Sequence, residues 1–270
     1  MEKFYCTDEN EKPLDNPVIG GGYVGILRKI AFIGDSLSSG EFEIYKETNN
    51  ERVCIDNYDY SIGQYIAREA GITAYNFSVG GMHVRWYMDG FAQLRGYFNP
   101  ELAANAYVIA LGCNDFILLE RGDLEFGSID DVHPDNPEQN AHTFCGYYGQ
   151  IISKYKAIQP HAKFFFETLP VSNWSANEEI HNKHTKFMYQ LCDIFENSYV
   201  IDLHKYAPPY DDEFQRKFYL SGHMSPLGYM LSAKMIMSYI DYIIRHNPED
   251  FKYLGLMEYD FHPTIKSGKK

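Results

Sequence analysis

Short apolar runs alternate with longer amphipathic segments along this chain of 270 residues. This alternation is typical of a parallel β-sheet with helices on both faces, because helical crossovers join neighbouring parallel strands. We therefore predict an α/β fold. The predicted strands lie near residues 29–34, 74–79, 106–112, 163–168 and 198–203.

Helices are predicted between these strands from capping residues and from the spacing of apolar side chains. The segment Ser61-Ile62-Gly63-Gln64 has the pattern of a capping box and predicts a helix that ends at Gly71. Two further helices are predicted over residues 142–158 and from residue 226 to about residue 246.

One domain is predicted, because 270 residues with 45% hydrophobic side chains can bury a sizeable core. This domain spans residues 29–246, with residues 1–28 as an N-terminal arm packed on it and residues 247–270 as a C-terminal tail. The polar stretch 116–141 is predicted to be a long loop at the rim of a site, since long loops in compact domains are usually functional or disordered.

Composition argues against several classes of partner. The net charge of −13 disfavours nucleic acid and anionic membranes, which require a basic face. The sequence contains no run of eighteen apolar residues, so no membrane span is predicted. The acidic N-terminus lacks the features of a signal peptide, and five cysteines without regular spacing indicate reduced thiols. We expect a cytoplasmic protein of undefined oligomeric state, with a removed leader as an open alternative.

Four short blocks contain residue types that carry acyl-transfer chemistry. In chain order they are Gly34-Asp35-Ser36-Leu37, Asn76-Phe77-Ser78-Val79-Gly80-Gly81, Gly112-Cys113-Asn114-Asp115 and Ser221-Gly222-His223-Met224. A serine hydroxyl becomes a nucleophile when a base such as histidine takes its proton. A backbone N–H at glycine and an asparagine amide can stabilise the oxyanion that forms. Ser36, Gly81, Asn114 and His223 therefore form a minimal catalytic set.

These blocks, in this order, resemble those of the SGNH hydrolases, also called the GDSL esterase/lipase superfamily. The resemblance implies a three-layer flavodoxin-like fold with a five-stranded parallel sheet in the order 2-1-3-4-5. It implies that Ser36 is the nucleophile and that His223 is the general base. It also implies an oxyanion hole made by the Ser36 N–H, the Gly81 N–H and the Asn114 side chain. Gly81 is preferred over Gly80 because the family's glycine lies five residues after the asparagine of its block.

The chain departs from the family pattern at Leu220, where the family usually has an aspartate that orients its histidine. Three interpretations are open: a Ser-His dyad with His223 held by a backbone carbonyl, a carboxylate supplied from elsewhere, or weak catalysis. Glu41, Glu167 and Asp202 are the candidate carboxylates, and we expect the dyad.

The predicted function is hydrolysis of a small-molecule acyl ester through an acyl-enzyme intermediate, with O-acetyl groups on a carbohydrate as a candidate substrate. Open alternatives are a lysophospholipase, a thioesterase, an acyltransferase, or a non-catalytic carbohydrate- or ligand-binding protein on the same scaffold. No cofactor is predicted. His181 and His184 have the spacing of two metal ligands on a helix, but no partner set accompanies them, so we predict a solvated helix face and no metal.

Overall fold

The computed structural model describes residues 8–173 and 177–259. The strands are β1 (Lys29–Gly34), β2 (Glu41–Tyr45), β3 (Arg52–Asp56), β4 (Thr73–Asn76), β5 (Ala106–Ala110), β6 (Lys163–Glu167) and β7 (Ser198–Ile201). The α-helices are α1 (Ser36–Ser39), α2 (Ile62–Ala70), α3 (Val84–Trp86), α4 (Ala92–Leu94), α5 (Cys113–Arg121), α6 (Phe144–Ile158), α7 (Glu178–Ile194), α8 (Leu203–Tyr206), α9 (Asp212–Phe218), α10 (Pro226–His246) and α11 (Pro248–Phe251). Within these described ranges no helix is long and apolar enough to cross a membrane.

Five strands form a parallel sheet in the order β4-β1-β5-β6-β7. Numbered along the chain within this sheet, the order is 2-1-3-4-5, which confirms the predicted fold class. One core cluster packs side chains of α6 and α7 against the sheet, and a second packs those of α2 and α10. The sheet therefore lies between two helical layers.

The predicted strand 74–79 is wrong at its C-terminal end, because β4 ends at Asn76. The Asn76 side chain accepts a hydrogen bond of 3.0 Å from the Ser78 N–H, which turns the chain out of the extended conformation. The strands predicted to end at residues 112, 168 and 203 also end earlier, at Ala110, Glu167 and Ile201.

The stretch 116–141 is not a continuous loop as predicted. The helix α5 continues to Arg121, and both Leu124 and Val132 are buried in the core. A capping box between Ser128 and Asp131 begins a short 3₁₀ helix over Ile129–Asp131.

Residues of the predicted N-terminal arm contact α10. Arg245 binds the Glu11 carboxylate through two nitrogens at 2.7 and 2.8 Å, and the Val18 N–H donates to the Ser238 hydroxyl at 3.0 Å. Residues 1–7 and 260–270 lie outside the described residues, so the bounds of arm and tail stay predictions.

A β-hairpin follows the block Gly34–Leu37 and was not predicted from the sequence. Strands β2 and β3 pair antiparallel, with Glu43 opposite Cys54. Since alternate residues of a strand point to opposite faces, Glu41 and Glu43 share one face while Phe42 lies on the other. The ring of Phe42 packs edge-on against Tyr229 of α10, with centroids 5.7 Å apart. This contact anchors the hairpin on the domain.

Gly40 joins α1 to the hairpin and has a left-handed backbone conformation with φ of +78°. A Cβ added at Gly40 would lie 2.6 Å from the Asn57 carbonyl oxygen. Gly71, which ends α2, also has a positive φ of +64°, but nothing lies within 4 Å of an added Cβ. Alanine substitutions at Gly71 and Gly40 therefore separate the cost of left-handed backbone strain from the cost of steric overlap.

We predict that Gly40→Ala destabilises the fold more than Gly71→Ala. Left-handed strain alone should lower the free energy of unfolding by about 1–2 kcal/mol in Gly71→Ala, and the overlap with Asn57 should add to this at Gly40. Urea unfolding of both variants measures the difference. Equal losses would show that the hairpin junction has room for a side chain.

Candidate active site

Ser36 is the first residue of α1, directly beyond the C-terminal end of β1. The Asp35 carboxylate caps this helix by accepting a hydrogen bond of 3.0 Å from the Leu37 N–H. A Cβ added to Gly34 would lie 2.1 Å from the Ser38 hydroxyl oxygen, so this tight turn requires glycine. The turn places Ser36, which is half-buried, at the edge where ligands bind in open α/β sheets.

The Asn114 side chain connects the segments that carry Ser36 and Gly81. Its Nδ2 donates to the Met82 carbonyl at 3.0 Å and lies 3.3 Å from Asp35 Oδ2. Gly81 has a φ of +74°, which allows the sharp turn before Met82. Three of the four predicted site residues therefore lie on adjoining segments at one edge of the sheet.

The fourth predicted residue, His223, lies between two carboxylates of the hairpin. Its Nε2 is 3.3 Å from Glu41 Oε1, and its Nδ1 is 3.3 Å from Glu43 Oε2. The ring is 14% exposed. The loop that carries His223, between α9 and α10, is closed by a hydrogen bond of 3.0 Å from the Leu220 N–H to the His223 carbonyl. Leu220 itself is 53% exposed.

Glu43 is held by several donors. Arg52 binds its Oε2 at 2.6 Å, the Ser221 hydroxyl donates to Oε1 at 2.9 Å, and the Gly222 N–H also contributes. These groups, Arg52 foremost, lower the pKa of Glu43 to about 2, so its carboxyl is ionised at neutral pH. Sequence reasoning missed Glu43. The alternating polar and apolar residues of Glu41–Tyr45, followed by Asn49-Asn50, could have predicted the hairpin that carries it.

The three acids that sequence analysis considered have different places. Glu41 contacts His223, and its Oε2 would lie 2.0 Å from a Cβ added to Gly80, so it lies between the histidine and the Gly80-Gly81 turn. Asp202 caps α8 and accepts hydrogen bonds from Thr168 at 3.1 Å and Tyr189 at 2.9 Å. Glu167 lines a cavity.

This cavity, of about 240 Å³, lies at the carboxyl edge of the sheet beside Ser36. The residues on both sides of the serine, Asp35 and Leu37, line it. Its wall is mainly apolar, with contributions from Phe116 and Met224, and Glu167 adds a carboxyl group.

Three carboxyl groups near the site have raised pKa values. Burial raises the pKa of Asp35 to about 6, that of Asp115 to about 7 and that of Glu167 to about 8. The charge of Asp35 contributes to the shifts of the other two acids. These carboxyl groups therefore hold protons in the folded chain at pH values where an unfolded chain would have lost them.

His181 and His184 are not on a solvated face as predicted. Their side chains are 5% and 1% exposed, and both rings pack edge-on against Phe116. Burial lowers the pKa of His184 to about 3 and that of His181 below its ordinary value. The pair therefore packs in the interior as neutral rings.

We predict that Glu167 makes stability depend on pH between about 4.5 and 8. Its pKa is higher in the folded chain than its ordinary 4.5, so folding retains a proton and the free energy of unfolding falls as pH rises through this range. Glu167→Gln should therefore show a shallower fall, measured by urea unfolding at several pH values. Glu120→Gln, at an exposed residue of the same cavity, should keep the wild-type slope. Parallel curves for Glu167→Gln and the wild type would contradict the assignment.

Comparison with solved structures identifies proteins of the same fold. The family two carbohydrate esterase from Clostridium thermocellum, solved with cellohexaose, has a TM-score of 0.56 and 19% identity, covering 83% of this chain and 65% of that one. The carbohydrate esterase family 2 enzyme of Corynascus thermopiles (Myceliophthora fergusii) has a TM-score of 0.53 and 15% identity, covering 79% of this chain and 65% of that one. A family 3 carbohydrate esterase from Clostridium thermocellum has a TM-score of 0.50 and 15% identity, covering 81% and 97%.

No curated protein sequence matches this chain. The sequence profile described as GDSL-like Lipase/Acylhydrolase, however, matches residues 30–236. This match includes all four blocks and covers most of the chain. The protein therefore belongs to the GDSL-like lipase/acylhydrolase family, whose members hydrolyse ester bonds.

Proposed function

We propose that this protein is a serine esterase that removes small acyl groups, O-acetyl groups among them, from a carbohydrate. The observation that carries the proposal is the hydrogen bonding of Asn114 to both the Met82 carbonyl and Asp35, the neighbours of Gly81 and Ser36. A donor, a nucleophile and a glycine turn thus share one edge of the sheet. The similarity of fold to carbohydrate esterases supports a carbohydrate as the alcohol part.

In the proposed mechanism, the Ser36 hydroxyl attacks the ester carbonyl while His223 takes its proton. The Ser36 N–H, the Gly81 N–H and the Asn114 amide, which gives up its 3.3 Å contact with Asp35, stabilise the oxyanion. Collapse of the tetrahedral intermediate breaks the ester bond, and His223 returns the proton to the leaving alcohol. Water then attacks the acyl-enzyme by the same steps, which releases the acid and the free serine.

The size of the cavity supports an upper limit on the length of the acyl group. Because Asp35 and Leu37 both line it, an acyl group on Ser36 lies next to an apolar space of about 240 Å³. This volume lies below the roughly 300–1,000 Å³ of pockets that bury drug-sized ligands, so it suits a short or medium acyl chain. We therefore place the acyl group there and the alcohol toward solvent.

We predict that Ser36→Ala lowers the hydrolysis of p-nitrophenyl acetate by several orders of magnitude, since the acyl-enzyme can no longer form. A fluorophosphonate probe should label the wild-type chain, and peptide mapping should locate the adduct on Ser36. Ser198→Ala, which removes a hydroxyl from β7, should retain labelling. Undiminished turnover in Ser36→Ala would refute the proposed nucleophile.

We predict that Ala110→Val changes selectivity between acyl groups. Ala110 ends β5 and lines the cavity, and a β-branched side chain suits a strand while narrowing the cavity. The ratio of kcat/KM for p-nitrophenyl butyrate to that for the acetate should fall about tenfold, the effect of a methylene group in an apolar pocket. A thermal melt checks folding, and an unchanged ratio in a folded variant would place the acyl group elsewhere.

A further inference from the structure

The Nδ1 nitrogen of His223 lies beside a carboxylate to which it makes no hydrogen bond in the described part of the chain. This nitrogen is buried, and Glu43 Oε2 lies 3.3 Å away. For Nε2 to accept a proton from a serine, Nδ1 must carry the other proton, and an acceptor at Nδ1 fixes this tautomer. Hydrogen bonds in catalytic sites are often long in unliganded structures and shorten when the substrate binds.

We infer that Glu43 is the positioning residue that orients His223. It replaces the acceptor that Leu220, which has no polar side-chain atom, cannot supply. This inference rests on the proposed function. The carboxylate comes from the hairpin that follows the nucleophile block, about 180 residues before the histidine in the sequence, and reaches Nδ1 from a different loop. Glu43 was not among the carboxylates considered when the Ser-His dyad was predicted from the sequence.

The surroundings of Glu43 suit an orienting carboxylate. Arg52, Ser221 and Gly222 donate to it, so its position is fixed and its negative charge is kept. The side chain is only 5% exposed, so solvent screens its interaction with the ring weakly. When His223 takes a proton, the resulting imidazolium gains a neighbouring anion, which stabilises the state that catalysis must form.

Glu41 is less suited to this part, although it lies equally near the ring. It contacts Nε2, the nitrogen that must face the serine, and its other oxygen lies toward Gly80. The Cys54 thiol also hydrogen-bonds with it. A carboxylate at this place borders the reacting groups and competes with the serine for Nε2. The two glutamates therefore make different predictions.

A purely structural part for Glu43 would be to tie the histidine loop to the hairpin through Ser221. Ser221→Ala removes the side-chain part of this tie and leaves the carboxylate beside Nδ1. Glu43→Gln keeps the size of the side chain but has a single acceptor oxygen, so it can no longer accept from Arg52 and Ser221 on separate oxygens. The comparison of these two variants separates orientation of the ring from support of the loop.

The experiment measures kcat and KM for p-nitrophenyl acetate, the rate of fluorophosphonate labelling and the thermal stability of Glu43→Gln, Ser221→Ala, Glu41→Gln and the wild type. In Glu43→Gln we expect kcat to fall by about tenfold or more, up to the roughly 10⁴-fold found when a triad carboxylate becomes an amide, with little change in KM. Labelling should slow in parallel. Ser221→Ala should lose less than Glu43→Gln in both measurements.

A second readout does not depend on turnover. In protein labelled with ¹⁵N-histidine, the Nδ1 proton of His223 should give a downfield NMR resonance at low temperature, assigned by its absence in His223→Ala. This resonance should persist in Glu41→Gln and disappear or move upfield in Glu43→Gln.

Three outcomes would overturn the inference alone, and a fourth would overturn the proposed function with it. A folded Glu43→Gln variant with less than a tenfold loss of kcat would show that Glu43 does not orient the base. Losses of the same size in Ser221→Ala and Glu43→Gln would assign Glu43 to loop support. A larger loss in Glu41→Gln than in Glu43→Gln would transfer the part to Glu41. A wild-type chain that is neither labelled nor active would refute the proposed function as well.

Discussion

The parallel arrangement of the five sheet strands is the constraint on which the rest of this structure depends. Because all five strands run in one direction, their C-terminal ends share one edge of the sheet. The segments carrying Ser36, Gly81 and Asn114 leave the sheet at this edge, as do those carrying Glu167 and Asp202. Residues far apart in the sequence therefore become neighbours in space.

Crowding polar groups at one edge has an electrostatic consequence. Desolvation raises the pKa of Asp35, Asp115 and Glu167, and the charge of Asp35 adds to the shifts of the other two. Glu43 has the opposite shift, because Arg52 and other donors surround it. The same edge of the sheet thus holds acids that keep their protons to higher pH than usual, with Asp35 and Glu167 in the cavity wall, and an ionised carboxylate next to His223. Such a division by environment is typical of sites that use acid and base chemistry together.

The hairpin connects the two ends of the proposed catalytic set. It begins at Glu41, after the single linking residue Gly40. Its packing against α10 is fixed by Phe42 and by the Tyr229 hydroxyl, which donates to the Glu41 carbonyl at 2.5 Å. Since α10 begins three residues after His223, this packing also sets the distance between the histidine and the two glutamates. The geometry around His223 therefore depends on an element outside the sheet.

The sequence by itself determined the α/β class and the places of the five sheet strands, because apolar runs that alternate with amphipathic segments have few ways to bury their surfaces. Together with the family resemblance, it also predicted the strand order and the four candidate residues Ser36, Gly81, Asn114 and His223. These predictions depend on local patterns, which are readable along the chain. The ends of strands such as β4 were less predictable, because a single side-chain hydrogen bond from Asn76 decides them.

Only the tertiary structure decided what surrounds His223. Leu220 left the expected place of an acid unfilled, and nothing local to the histidine indicated that Glu43 lies 3.3 Å from Nδ1. The burial of His181 and His184 was likewise hidden, because their spacing fits a solvated face as well as a packed one. Contacts between segments far apart in sequence depend on how the hairpin and helices pack on the sheet. That packing is a property of the whole fold, and no short stretch of sequence contains it.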